Sequence, residues 1–354
     1  MAEFKPFRGI RYNIELIKDF SQVVTPPYDV ISPAERDHYH ERHPHNVIRL
    51  ILGKPQPEDN DQNNVHTRAA QFLDTWLDNK VLLQDSKPGF YLTSVSFDLF
   101  GRHVTRYGVT GWVRLEPFDK GIVLPHEKTF SKVKAERLSL IKACQANLCP
   151  IFGLYSDKNG IAASLISSAN NFAPDIELTD DKGLMHRLWY LTDDQMIADL
   201  TDALKNQTIY IADGHHRYET ALNFREWFKE NNGSYTLTHP SNYVMMSLIS
   251  MEDPGLIILP AHRLLSSIPQ ESLDRFFAQA PQYFDIKEVP IQDSMERAAE
   301  KTWTLLKENT AKNAIGVYAK NQKQIRIMIL KSGIMEQHFG HEMHPALLDP
   351  DVSV

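Results

Sequence analysis

The densest chemistry in this 354-residue chain sits in one short stretch, Ile209-Tyr210-Ile211-Ala212-Asp213-Gly214-His215-His216-Arg217-Tyr218. An apolar run of strand type leads into a glycine and then into a helical pattern. The first N–H groups of a helix lack partners inside it and lie at the positive end of its dipole, so such a turn can hold an anion. Gly214 lets the backbone approach a phosphate closely, Arg217 offers a bidentate fork, and His215 and His216 add hydrogen-bonding and acid–base capacity beside Asp213. The plain alternative is an ordinary helix start with Asp213 as its N-cap. That explains the aspartate but gives no reason for the run Gly-His-His-Arg.

A second group is Leu124-Pro125-His126-Glu127-Lys128-Thr129. It lacks the second histidine one helical turn later that a zinc protease helix needs. Glu127 suits a general base or a magnesium ligand beside phosphates, and equally a solvated loop position. Pro260-Ala261-His262-Arg263 and Pro26-Pro27-Tyr28-Asp29 each follow an apolar run read as a strand, at 255–259 and at Val23-Val24. Strand ends in α/β sheets line ligand crevices, which adds His262, Arg263 and Asp29 to the candidates. Lys128, Lys132, Lys134 and Arg137 read as a basic rim for a triphosphate or as an exposed helix face. The catalytic candidates are therefore Glu127, Asp29 and His216. The phosphate- or nucleotide-binding candidates are Asp213, Gly214, His215, His216, Arg217, His262, Arg263, His126 and Lys128.

The elements that must position these residues follow from hydrophobic periodicity. Strands are expected around the Pro26-Pro27 turn and at 46–52, with a polar loop at 54–64. A helix carries Ala69, Phe72, Leu73, Trp76 and Leu77 on one face and ends near Asn79. Alternation from Tyr91 to Leu99 and a second run to Leu115 predict an antiparallel hairpin about Gly101. A helix is expected over 132–148, stopped by Pro150. Then come a strand at 208–212, a helix at 215–230 stopped by Asn231-Asn232-Gly233, and paired strands at 243–250 and 255–259. Helices near 270–280 and 293–309 alternate with strands at 314–319 and 325–330. The class is α/β, a mixed sheet with flanking helices.

Composition narrows the partners. With 42% hydrophobic and 23% charged residues the chain can bury a full core. A formal charge of −7 lacks the basic excess of a nucleic-acid binder. Cys144 and Cys149 stand alone in a C-x4-C spacing, against a disulfide framework or zinc ribbon. No apolar run has signal-peptide or membrane-span length, so the expectation is a cytoplasmic protein with no membrane partner. Nothing in the sequence fixes the oligomeric state, and a homo-oligomer is compatible with it.

The four motifs Pro26-Pro27-Tyr28-Asp29-Val30-Ile31, His126-Glu127-Lys128-Thr129, Ala212-Asp213-Gly214-His215-His216-Arg217 and Pro260-Ala261-His262-Arg263, in this order, resemble a bacterial family known as domain-of-unknown-function family 1015, over nearly the whole chain. The turn 213–217 is also similar to the phosphate-binding turn of the ParB/sulfiredoxin-like superfamily, which includes CTP-binding partition proteins, sulfiredoxins and nucleotide-dependent free-serine kinases. The resemblance implies one family-wide unit over 1–354, divisible into a part at 1–200 with the His-Glu-Lys-Thr motif and a ParB/sulfiredoxin-like part at 201–354. It implies phosphates at 213–217, with Mg2+ and ATP or ADP as cofactors. The activity implied is a kinase or phosphotransferase acting on free serine or a similar small hydroxyl metabolite. The acidic base of the kinases lies outside the matched motif, so Glu127, then Asp29, stand for it on chemistry alone. Members of the larger family run on past the equivalent of 347–354, which implies a shortened member. Two other readings stay open: a non-catalytic nucleotide-binding switch, and a metal-dependent hydrolase using His126, Glu127, His215 and His262 if these side chains meet.

Overall fold

The computed structural model describes residues 2–99, 101–127, 131–233, 235–258, 262–292, 294–309, 312–320 and 322–339, the side chains of 131–133 and 339 excepted. Two compact units divide it, Met1–Ile258 and Leu259–Val354. The division falls beyond residue 200, because strands from both sides of that position share one sheet.

The first unit is built on a nine-stranded sheet. Its strands run in the order Val123–Leu124, Ile209–Asp213, Ile151–Tyr155, Tyr243–Ser250, Arg102–Arg114, Phe90–Leu99, Met185–Leu191, Ile176–Thr179, and Phe4–Lys5 pairs off this path with Arg102–Arg114. The sheet is mixed. Ile209–Asp213 lies parallel to Val123–Leu124, Tyr243–Ser250 lies parallel to Ile151–Tyr155, and the other pairings are antiparallel. The hairpin expected about Gly101 is present, as Phe90–Leu99 against Arg102–Arg114.

Side chains alternate across this sheet with a period of two. Phe90, Leu92, Val109, Val113, Val244 and Met246 join Ala162 and Ile166 of the helix Ile161–Ser167 and Leu200 and Leu204 of the helix Asp194–Leu204 in the main core. Burying each large aliphatic or aromatic side chain contributes roughly 1.5–3 kcal/mol. Tyr91, Thr93, Thr110, Trp112, Tyr243 and Ser247 alternate with that set and stand on the opposite face. A second core collects Val23, Tyr39, Ile48, Leu73, Trp76 and Leu82 from the first 82 residues.

Several early segments differ from the sequence reading. The stretches about Val23 and at 46–52 are not strands: Phe20–Gln22 and Tyr28–Val30 are 3-10 turns, and Pro33–Arg42 and Ile48–Ile51 are α-helices. Ser32 and Glu35 close a reciprocal capping box around Pro33, the local signal that starts the first of these helices. The helix through Trp76 spans Val65–Asp78, while the helix expected over 132–148 spans Ser131–Cys144 and stops at Gln145, whose φ is +48°. Residues 255–258 form no strand, so Tyr243–Ser250 pairs with its sheet neighbours instead.

The second unit holds a three-stranded antiparallel sheet, Phe284–Pro290, Gln324–Leu330 and Ala314–Val317 in that order, with helices Gln270–Tyr283 and Met295–Glu308. Its own small core contains Val289, Ala298, Ile325, Ile327 and Ile329. Among the described residues no helix is long and apolar enough to cross a membrane.

Candidate functional site

Two neighbouring parallel strands create the site. Tyr210 is in register with Leu124, so the chain leaves both strands at the same edge of the sheet. Pro125-His126-Glu127 therefore emerges beside Asp213-Gly214-His215, and two motifs 86 positions or more apart in sequence become one surface. The antiparallel strand Ile151–Tyr155 begins at this edge as well, which brings Cys149 and Pro150 alongside.

The helix that leaves the edge, His215–Asn231, is the site helix. Its N-cap is Gly214 in the left-handed region, with φ +96°, which has no side chain of its own to cap the first turn. The expected cap, Asp213, instead ends the strand and accepts a bond from Arg217, whose guanidinium also donates to the Pro150 carbonyl. The first N–H groups of a helix point outward from its start, where an acceptor can meet them. A Cβ on Gly214 would meet the Arg217 guanidinium at 2.9 Å, so the glycine serves both the backbone angle and the packing of the arginine.

The two loop histidines are fixed by backbone groups. His126 Nδ1 donates to the Ile211 carbonyl at 2.8 Å, because a carbonyl only accepts. Neutral His126 therefore keeps a lone pair on exposed Nε2. The His126 amide, which only donates, gives its proton to His215 Nε2 at 3.2 Å, so neutral His215 carries its own proton on Nδ1. His215 is buried, and desolvation followed by the neighbouring His126 holds its pKa below the usual histidine value, which favours this neutral form. Glu127 Oε1 lies 3.1 Å from His215 Nδ1, off the direction of a hydrogen bond. The rings of His126 and His215 meet edge to face at 4.4 Å. Ligating atoms of His126, Glu127 and His215 all lie within 4.8 Å of one another.

A third motif reaches the same place from the N-terminal helices. Tyr28 lies under the Arg137 guanidinium at 4.1 Å, and burial pushes its phenol pKa up while Arg137 and Arg217 pull it down. Asp29 is exposed and acts electrostatically on both Tyr28 and Cys149. It arrives on a 3-10 turn rather than at a strand end, so the argument that suggested it does not hold although its neighbourhood does. Arg137 is buried, bonded to the Ile51 carbonyl and to Glu136, and Lys134 pairs with Glu219 of the site helix. These two cations are structural fasteners and form neither a free rim nor an exposed face.

Burial raises both thiols, Cys144 to about 11 and Cys149 in the same direction, so neither is a thiolate at neutral pH. Both are free, in line with the absence of a disulfide framework. His216 is half-buried one residue into the site helix, where it acts electrostatically on His215. His262 and Arg263 belong to the second unit and are exposed, and with no strand at 255–258 they too lose their strand-end rationale. Lys128, Pro260 and Ala261 lie outside the described residues, as does the side chain of Lys132.

Sequence reasoning missed Thr220. Its side chain is buried one turn after Arg217, its hydroxyl has no hydrogen-bond partner among the described residues, and it lines a small cavity of about 60 Å3 with Tyr28, Arg137, Cys149 and Arg217. The spacing Arg217-x-x-Thr220 places both on one helix face, the only signal available beforehand. A family model described as a protein of unknown function (DUF1015) matches residues 4–350. No curated protein and no solved structure matches the chain.

Proposed function

The chain belongs to that family, and from the geometry of its first unit we propose a nucleotide-dependent phosphotransferase that passes a phosphoryl group to a small hydroxyl metabolite such as free serine. The observation that carries this reading is the meeting of Glu127 with the glycine-led start of the site helix, through His215 at 3.1 Å. A general base and an anion-holding turn have to be neighbours for phosphoryl transfer, which asks the protein mainly for positioning and charge stabilisation.

In this reading the first N–H groups of the site helix hold the phosphates, and Arg217 stands over them. Glu127 accepts the hydroxyl proton of the acceptor as that oxygen bonds to the terminal phosphorus, and the bond from phosphorus to the bridging oxygen breaks to release the shorter nucleotide. His215, with its proton on Nδ1 and 3.1 Å from Glu127 Oε1, donates to that carboxylate once the carboxylate turns toward it. Magnesium, when bound, supplies charge neutralisation, and the exposed carboxylates of Glu127 and Asp213 are oxygen donors suited to a hard cation that keeps several of its waters. The likeness of 213–217 to the ParB/sulfiredoxin-like turn supports the same assignment as a proposal.

A second reading has its own support, since His126, Glu127 and His215 cluster tightly enough for a transition metal. His126 fits as a ligand through Nε2, with its Nδ1–H held by Ile211 in the manner of metal-bound histidines. His215 fits less well, because ligation through Nδ1 requires the proton on Nε2, where the His126 amide now donates. The phosphotransferase reading keeps every one of these bonds.

Isothermal titration with ATP, ADP and CTP in magnesium, beside an Asp213→Ala/Arg217→Ala double variant, tests the proposal. Binding by the intact chain and its loss in the double variant are expected, together with phosphorylated serine when acceptor is added. No nucleotide binding by the intact protein overturns the reading. Stoichiometric zinc or manganese in the purified protein moves the assignment to the metal centre.

A further inference from the structure

Two cavities follow one another along the site helix. Arg217 and Thr220 face the small one, while Ala221, Phe224 and Phe228 face a second of about 650 Å3. Ile141, Ala146, Asn147 and Leu148 line both, and Pro150, whose carbonyl holds Arg217, lines the larger. The larger cavity therefore begins where the phosphate-holding turn ends.

Its floor is the second face of the large sheet, which contributes Tyr91, Thr93, Thr110, Trp112, Tyr243 and Ser247. The volume lies within the roughly 300–1,000 Å3 typical of small-molecule sites. The walls combine aromatic rings with neutral donors and acceptors: Phe7, Trp112 and Tyr243 form a continuous stack at 5.7 and 5.6 Å, and Gln84, Gln145 and Asn147 add amide groups. Among the described residues no carboxylate lines the cavity; Asp85 neutralises Arg11, while Arg8, the other lining arginine, donates to the Asp85 backbone carbonyl and brings a positive charge to the wall. Wall hydroxyls already bond within the protein, Tyr91 to Asp85, Tyr243 to Glu3 and Thr110 with Ser247, so the groups a purely apolar ligand would leave unmatched are chiefly the amides of Gln145 and Asn147. A flat heteroaromatic ring carrying a sugar matches the rings and the amides, with faces for stacking and edges for hydrogen bonds.

We propose that this cavity receives the base and ribose of the nucleotide whose phosphates lie at the start of the site helix; the assignment rests on the nucleotide reading given above. The buried, unpartnered Thr220 hydroxyl sits between the two halves, in the small cavity beside Arg217, and is placed to take a hydrogen bond at the junction of sugar and phosphate. The substrate class is thereby a whole nucleotide rather than polyphosphate or pyrophosphate alone.

The test compares ATP, adenosine and inorganic tripolyphosphate by titration calorimetry against the intact chain, Ser247→Phe and Thr93→Phe, each variant first checked for an unchanged circular-dichroism spectrum. Both substitutions put a ring into the cavity from the sheet floor, at different strands, so one that fails to fold leaves the other. The expected result is a loss of about tenfold or more in affinity for ATP and adenosine, the scale of a lost base–aromatic stack, with tripolyphosphate unaffected. ATP bound equally well by the filled variants overturns the cavity assignment and leaves the phosphotransferase reading standing. Adenosine binding that the filled variants lose, without any binding of ATP beyond it or of tripolyphosphate, supports the cavity and overturns the phosphate site. An intact protein that binds none of the three overturns both.

Discussion

At the residue scale the proposed reaction depends on a single carboxylate. Glu127→Gln keeps size and hydrogen-bonding capacity but removes the basic oxygen, so turnover should fall by ~10²–10⁴-fold, the usual contribution of a positioned general base. Nucleotide affinity should stay within about threefold, since the group acts on the acceptor and uniform binding is not its role. Steady-state kinetics with a parallel titration checks this; equal losses in affinity and turnover would make Glu127 a binding residue instead. His126 Nε2 is the second exposed base of the site, and activity left in Glu127→Gln but lost in the double variant with His126→Gln would move the proton transfer there. Both residues were visible in the sequence as chemistry-bearing types. Thr220 was not, and Arg137 was legible only as part of a basic rim or an exposed helix face. Their meaning depends on what buries them: Tyr28 stacks on Arg137 from 109 positions away, and helical periodicity is silent about partners at that separation.

At the element scale the site depends on how a strand turns into a helix. Gly214 holds φ +96° against the Arg217 guanidinium, a conformation that costs a residue with a Cβ roughly 1–2 kcal/mol before any clash. Gly214→Ala should therefore lower the melting temperature by about 2–4 °C per kcal/mol in a unit of this size. It should also weaken nucleotide binding, because Arg217 must move. Differential scanning calorimetry with titration reads both, and an unchanged melting temperature would show that the turn is not held as described. The strand, glycine and helix were legible in order and nearly in extent, Ile209–Asp213 and His215–Asn231, because hydrophobic period changes from strand to helix there. The N-terminal region misled for a definite reason. Apolar runs as short as Ile48–Ile51 fit a strand or a buried helical turn equally, and only the packing against Leu73 and Trp76 decides between them.

At the scale of the whole molecule the class, a mixed sheet with flanking helices, followed from the sequence, whereas strand order did not. That His126 would lie beside His215 required knowing that Val123–Leu124 pairs with Ile209–Asp213, a contact of high sequence separation. Stability should carry a pH signature of the buried His40 and the half-buried His45 and His66. Burial holds His40, His45 and His66 below the ordinary value of 6.5. Below pH 6.5 the unfolded chain takes up protons that the folded chain refuses, so stability present above that pH is lost as pH falls. Urea midpoints should drop from pH 7.5 to 5.5, and a midpoint that rises instead would contradict the burial of these rings. The division at Ile258 gives the last expectation. Both large cores, the nine-stranded sheet and the residues around Glu127 and His215 all come from Met1–Ile258. A fragment of residues 1–258 should thus unfold as one cooperative transition, at the upper end of the ~50–250 residues typical of single domains. If the nucleotide site is complete in this unit, the fragment should bind ATP within about threefold of the full chain, well under the tenfold that a lost 1.4 kcal/mol contact produces. A larger loss in a fragment that still folds would restore His262 and Arg263 as phosphate ligands, and the matching variants of the full chain, His262→Ala and Arg263→Ala, would then have to lose affinity by the same factor.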